Sequence, residues 1–120
     1  EWFGLGGIFE DSETYFFLMD VVKAKINALY YPAAIVVHEH YSSSDKVESD
    51  RIIHARAAAF YKVYKKWAYF LVLKYLFFLW RKRYIKAYEL QGKFKTGIKS
   101  ITHYKQLYAN ALKTYDDYKN

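Results

Sequence analysis

Residues 51–83 read RIIHARAAAFYKVYKKWAYFLVLKYLFFLWRKR. Within them Ile53, Ala57, Phe60, Tyr64, Trp67, Leu71, Tyr75 and Phe78 recur at steps of three or four, with Arg56, Lys62 and Lys66 on other faces. That is the period of one apolar stripe on an α-helix. The pattern predicts one helix from about Ile52 to Arg83, on the order of 50 Å long. Its second half differs from its first. From Trp67 to Trp80 every residue except Lys74 is apolar or aromatic, and the run is bracketed by Lys65-Lys66 and Arg81-Lys82-Arg83. Such a run is too short for a hydrocarbon core that needs about 20 residues. It therefore either packs on protein or lies in a membrane interface, where Trp, Tyr and flanking Lys/Arg are favoured. Trp67, Lys74, Trp80, Arg81, Lys82 and Arg83 are the candidate membrane or partner surface.

Downstream, after Gln91-Gly92, a last helix is expected to carry Phe94, Ile98, Ile101, Tyr104, Tyr108, Leu112 and Tyr115 on one stripe. Lys95, Lys99, Lys105 and Lys113 surround that stripe, and Gly92 and Gly97 weaken its start. Upstream the pattern changes. Phe3 to Phe9 is a glycine-rich loop, Phe-Gly-Leu-Gly-Gly-Ile-Phe, that lacks both the Lys-Ser/Thr ending of a phosphate loop and the full dinucleotide fingerprint. Asp11 or Ser12 is the expected cap of a helix reaching about Lys25 or Asn27, with Tyr15, Leu18, Val22 and Ile26 on one face. Ala33 to His38 reads as a short buried strand and Tyr41 to Asp50 as a polar loop. The fold class expected is mainly α with a small α/β element, divided into 1–45 and a basic aromatic helical tail, 46–120.

The 120 residues are 53% hydrophobic and 22% aromatic, which argues against disorder and for about one small domain. With no Cys there is neither a disulfide nor a thiol nucleophile nor a cysteine-held metal. The net charge of +7 conceals an asymmetry. Residues 1–50 carry nine acidic and three basic side chains, net −6, and residues 51–120 carry three acidic and sixteen basic, net +13. The asymmetry suggests an anionic partner for the basic half and a cation site in the acidic one. The first residue is Glu1 and no secretion signal opens the chain, so it is read as cut from something longer.

Glu10, Asp11 and Glu13 at a helix start, with His38 and His40 on one side of a strand end, form the first candidate constellation. Carboxylate and imidazole are ordinary ligands of divalent cations, and a carboxylate also serves as a general base. The plainer reading is a helix cap and two surface histidines. His54 and His103 sit in basic helices with no clustered acidic residue or second histidine near them in sequence, and read as helix-surface or packing residues. Fourteen Tyr interleaved with Lys suggest a stacking surface for single-stranded nucleic acid. Most of them fall on the apolar stripes, however, and no nucleic-acid motif accompanies them, so nucleic acid is not an expected partner.

The segment Phe3-Gly4-Leu5-Gly6-Gly7-Ile8-Phe9-Glu10-Asp11, a helix, and then Tyr31-Pro32-Ala33-Ala34-Ile35-Val36-Val37-His38 resembles the C-terminal part of the catalytic domain of family-2 glycosyltransferases. The resemblance covers about 45 residues with their landmarks in order. It implies an incomplete α/β nucleotide-diphosphosugar transferase fold, with Asp11 as the general base and Glu10 supporting it. Gly6-Gly7 would lie against the acceptor. His38 would ligate a divalent metal, Mn or Mg, on the diphosphate, and His40 is the alternative ligand. Nucleotide sugar and a carbohydrate or lipid-linked acceptor would be its partners, at the cytoplasmic face of a bacterial membrane. The nucleotide-binding half with its Asp-x-Asp motif would lie upstream, leaving this chain inert alone and prone to form a homodimer. The rival reading is a non-enzymatic helical module that binds an anionic membrane surface or a partner protein.

Overall fold

The structure, a computed structural model, describes residues 2–4, 6–29 and 46–117. Four helices order these residues: α1 (Glu13–Lys23), α2 (Asp50–Tyr64), α3 (Ala68–Arg81) and α4 (Leu90–Asp117). The expectation of a mainly α chain is met. Among the described residues the only β pairing is an isolated parallel bridge between Phe3 and Phe9. The strand expected at 33–38, and with it His38, lies outside them.

α2 is the hub. Ile53 and Ala57 face one core with Ala68, Val72, Leu76 and Leu79 of α3, Ile101 of α4, and Ile85 from the turn between α3 and α4. On the opposite side Ala55, Ala58 and Ala59 meet Phe3, Phe9, Phe16 and Tyr104. Sealing a Leu or Ile side chain in such a core contributes roughly 1.5–3 kcal/mol. The second cluster draws on both sides of residue 45. Lys93 Nζ joins the starts of α2 and α4, donating to the Glu48 carbonyl at 2.8 Å and to Asp50 Oδ1 at 2.9 Å. Buried Ser100 on α4 donates its hydroxyl to the His54 carbonyl of α2.

The structure revises the helical pattern at three points. First, the helix over 52–83 is broken. A 3₁₀ turn at Lys65–Trp67 separates α2 from α3, and Lys65 takes φ 51°. No Gly or Pro marks the place. Packing imposes the break: a straight helix could not lay Ala68 and Val72 back beside Ala57 and Ile53. The buried stripe shifts accordingly, to Ala68, Val72, Leu76 and Leu79, leaving Trp67 and Phe78 exposed.

Second, α1 buries Phe16, while Tyr15, Leu18 and Val22 face outward and Ile26, beyond the helix end, is also exposed. Tyr15-Phe16-Phe17-Leu18-Met19 is apolar on nearly every side, so periodicity could not select a face. The aromatic contacts of Phe16 with Phe3 and of Lys62 over the Phe16 ring select it. Ser12 does cap the helix by position, at φ 72°, but its side chain bonds no backbone amide. α1 ends at Lys23, and Lys25 at positive φ closes it, with Ile26 N donating to Val21 O at 3.2 Å. Third, the stripe of α4 is buried only in its first half. Ile101 and Tyr104 are buried, Phe94 and Ile98 half-buried, and Tyr108, Leu112 and Tyr115 exposed.

Gly97 does more than weaken a helix. A Cβ there would lie 2.8 Å from Val72 Cγ1 and 3.7 Å from Ala57 Cβ, so the missing side chain is what allows α4 to approach α2 and α3. Gly97→Ala should lower stability by about 1–3 kcal/mol, against its gain of roughly 1 kcal/mol in helix propensity. The loss should shrink in a Val72→Ala background, as read by urea unfolding of the four members of the cycle. An unchanged penalty would contradict the contact.

Candidate functional site

The glycine loop folds onto itself before it reaches α1. Gly4 N donates to Phe9 O at 2.9 Å, Phe9 N to Trp2 O at 2.8 Å, and Gly7 N to Gly4 O at 2.9 Å. Gly4 takes φ 113°, which L side chains rarely adopt. Gly7 packs against its own loop: a Cβ there would meet Trp2 O at 3.0 Å. Phe3 and Phe9 anchor the loop in the second core, with ring centroids 5.0 Å apart. The next two residues, Glu10 and Asp11, therefore leave a rigid base.

Both carboxylates meet arginines of α2. Arg51 Nη1 donates to Glu10 Oε2 at 2.7 Å, and Arg56 Nε to Asp11 Oδ2 at 3.0 Å. Arg56 also donates through Nη1 to the Tyr75 hydroxyl at 2.9 Å, and that hydroxyl donates to the Val47 carbonyl at 2.7 Å. One guanidinium thus joins the acidic loop, α2, α3 and the segment before α2. Burial raises the Tyr75 pKa, outweighing the opposing effect of Arg56, so the phenol is a neutral donor near pH 7. Glu10 and Asp11 were legible as a pair, but their arginine partners lie 41 and 45 residues away and no local pattern marks them.

Beside Asp11 opens a cavity of about 330 Å³ lined by Ser12, Tyr15, Arg56, Phe60, Tyr64 and Tyr75. Two of its wall residues bond Asp11 itself: Arg56, and Ser12, whose hydroxyl lies 3.5 Å from Oδ2. The wall offers aromatic faces with a few polar groups, a composition typical of small-ligand sites.

Of the other predicted site residues, Trp67, Lys74, Trp80, Arg81, Lys82 and Arg83 are all exposed, on α3 and its two ends. His38 and His40 lie outside the described residues. Among the described residues no three His, Asp or Glu side chains converge on a point where a cation would sit.

The two histidines read as helix-surface or packing residues are neighbours. His54 of α2 and His103 of α4 have ring centroids 5.9 Å apart, and Phe9 stacks on His54 at 5.0 Å. Burial, and then the neighbouring His103, lower the His54 pKa below its ordinary 6.5. They lie 49 positions apart in sequence, so only the α2–α4 crossing could reveal the pair.

Comparison with known proteins yields no relative: no family model, no curated protein and no solved structure matches the chain.

Two measurements follow. Arg56→Ala should cost about 1–3 kcal/mol, because it removes the charged partner of the half-buried Asp11 carboxylate and one of the two bonds of the Tyr75 hydroxyl, whereas Arg51→Ala at the more exposed pair should cost about 0–1 kcal/mol. Equal costs in urea unfolding would refute the hub role of Arg56. For His54 the folded pKa is depressed, so the unfolded chain binds more protons in the window just below pH 6.5. Stability should fall as pH drops through that window, and His54→Gln should remove that part of the fall in a series of thermal melts from pH 7.5 to 5.

Proposed function

We propose that the chain is the acceptor-side, C-terminal part of an inverting glycosyltransferase that moves a sugar from a nucleotide sugar to an acceptor hydroxyl, in bacterial surface polysaccharide synthesis. The observation that carries this reading is the Asp11 carboxylate, bonded by Arg56 and Ser12, two wall residues of an aromatic cavity of about 330 Å³. The ordered landmarks from Phe3 to His38 support it independently.

The chemistry assigns a role to each part. The acceptor sugar lies with its C–H faces on Tyr15, Tyr64 and Tyr75, since aromatic rings present large apolar surfaces with a polar handle. Asp11 takes the proton of the acceptor hydroxyl. The oxygen attacks the anomeric carbon, the bond from that carbon to the diphosphate oxygen breaks, and the nucleoside diphosphate leaves with the electron pair. Attack from the face opposite the leaving group inverts the centre. Arg56 positions the base and does not itself touch the reacting atoms. A divalent cation and its His38 and His40 ligands belong to the same proposal but fall outside the described residues, and no step here passes through them.

The test is transfer by the full-length gene product that contains this chain, with a panel of nucleotide sugars and lipid-linked or free saccharide acceptors. Asp11→Asn should lower kcat by about 10²–10⁴ and leave the donor KM unchanged. Arg56→Lys should lower kcat less and leave some activity. A fall of less than tenfold in Asp11→Asn would remove Asp11 from the role of base, and transfer by the 120-residue chain alone would remove the fragment reading.

A further inference from the structure

α3 keeps one face for the protein, and among the described residues nothing covers the other. Ala68, Val72, Leu76 and Leu79 are sealed against α2 and α4. On the far side Phe70, Leu73, Phe77 and Trp80 follow steps of three and four, and they are exposed by 59%, 51%, 55% and 43%. Trp67, at the start of the same face, is 71% exposed. Two aromatic pairs sit on this surface, Trp67 with Phe70 at 6.5 Å and Phe77 with Trp80 at 5.6 Å. So many large apolar side chains on one exposed helix face are uncommon on a protein whose surface meets only water.

The charges show which occupant fits. Between residues 65 and 83 there are six cations, Lys65, Lys66, Lys74, Arg81, Lys82 and Arg83, and no carboxylate. All six are exposed, at both ends of α3 and, through Lys74, along it. A second copy of the same face would bring like charges together around the apolar patch. A bilayer with anionic headgroups places negative charge around the rim and hydrocarbon under the centre. Cations at both helix ends favour α3 lying in the plane of the surface, and among the described residues no helix is long and apolar enough to cross a membrane. We propose that the outer face of α3 is a docking surface for an anionic lipid bilayer, with Phe70, Leu73 and Phe77 entering the acyl boundary and the flanking Lys and Arg meeting headgroups. The break at Lys65 takes part in this. It turns α3 back on the bundle, so that one face is sealed and the opposite face is left whole.

This surface does not depend on the sugar-transfer reading, and its test involves no activity. The 120-residue chain is floated with vesicles of neutral phosphatidylcholine and of phosphatidylcholine with about one-third phosphatidylglycerol. Partition should be at least tenfold higher into the anionic vesicles, should fall as salt is raised through the range where surface charges are screened, and should be accompanied by a blue shift of tryptophan emission. Phe70→Ser/Leu73→Ser/Phe77→Ser alters only exposed positions and should keep the thermal melt while reducing binding at least tenfold. Arg81→Gln/Lys82→Gln/Arg83→Gln should lose the preference for anionic lipid. Equal binding to both vesicles, failure to bind either, or undiminished binding by the triple serine variant overturns the proposal. Self-association in sedimentation without vesicle binding also overturns it, and assigns the face to a second copy.

Discussion

Ala55, Ala58 and Ala59 on one side of α2, and Ala57 on the other, carry no atom beyond Cβ, and Gly97 of α4 lacks even that. Small residues at a helix crossing let backbones come close, and larger partners then fill the flanks. Here Val72 fills the space over Gly97, while Phe3, Phe9 and Phe16 fill the space over the alanines. Close packing of this kind tolerates little change in volume. It also forces polar groups into contact, and buried Ser100 meets the carbonyl of His54 only because α2 and α4 approach so closely. The break after Tyr64, the place of the glycine loop and the meeting of His54 with His103 all depend on that crossing.

The polar site is assembled on this frame. Arg56 projects from α2 to Asp11 in one direction and to Tyr75 in the other, and Tyr75 passes the connection to the Val47 carbonyl. An acidic loop and a basic helix, far apart in sequence and opposite in charge, therefore meet in one bonded network. The network ties the Asp11 carboxylate to two wall residues of the cavity, Arg56 and Ser12. The outer face of α3 is built differently: among the described residues it has no such network and offers apolar surface flanked by positive charge.

The helical class, α1 and α4, the helical character of the run that α2 and α3 divide between them, and the Glu10-Asp11 pair at a helix start were all legible from residue order. The boundaries were not. Helices commonly end at Gly, yet Lys25 and Lys65 follow the ends of α1 and α2 and Arg83 that of α3, each with positive φ and a side chain that gives no stop signal. Arg83 closes α3 through bonds from its own amide to Trp80 O at 2.9 Å and from Tyr84 N to Leu79 O at 3.0 Å. The buried face of α1 was unreadable for another reason. Its apolar residues cover most of its circumference, and only the position of Phe3 and Lys62 makes Phe16 the one to turn inward.

By itself, then, residue order determined what depends on neighbours within about one helical turn: helix formation, the glycine loop with its Gly4 conformation, and the charge bias between the two halves. Tertiary structure alone decided where the helical run breaks, which face of each helix is sealed, and which distant partners meet Asp11, Tyr75 and His54. The physical reason is that hydrogen bonds within a helix and loop conformation are local terms, whereas burial and ion pairing depend on what approaches from elsewhere in the chain. A segment as uniformly apolar as Trp67 to Trp80 satisfies the local terms with any face inward. Only the packing of Ala68, Val72, Leu76 and Leu79 against α2 and α4 selects one, and so leaves the opposite face outward.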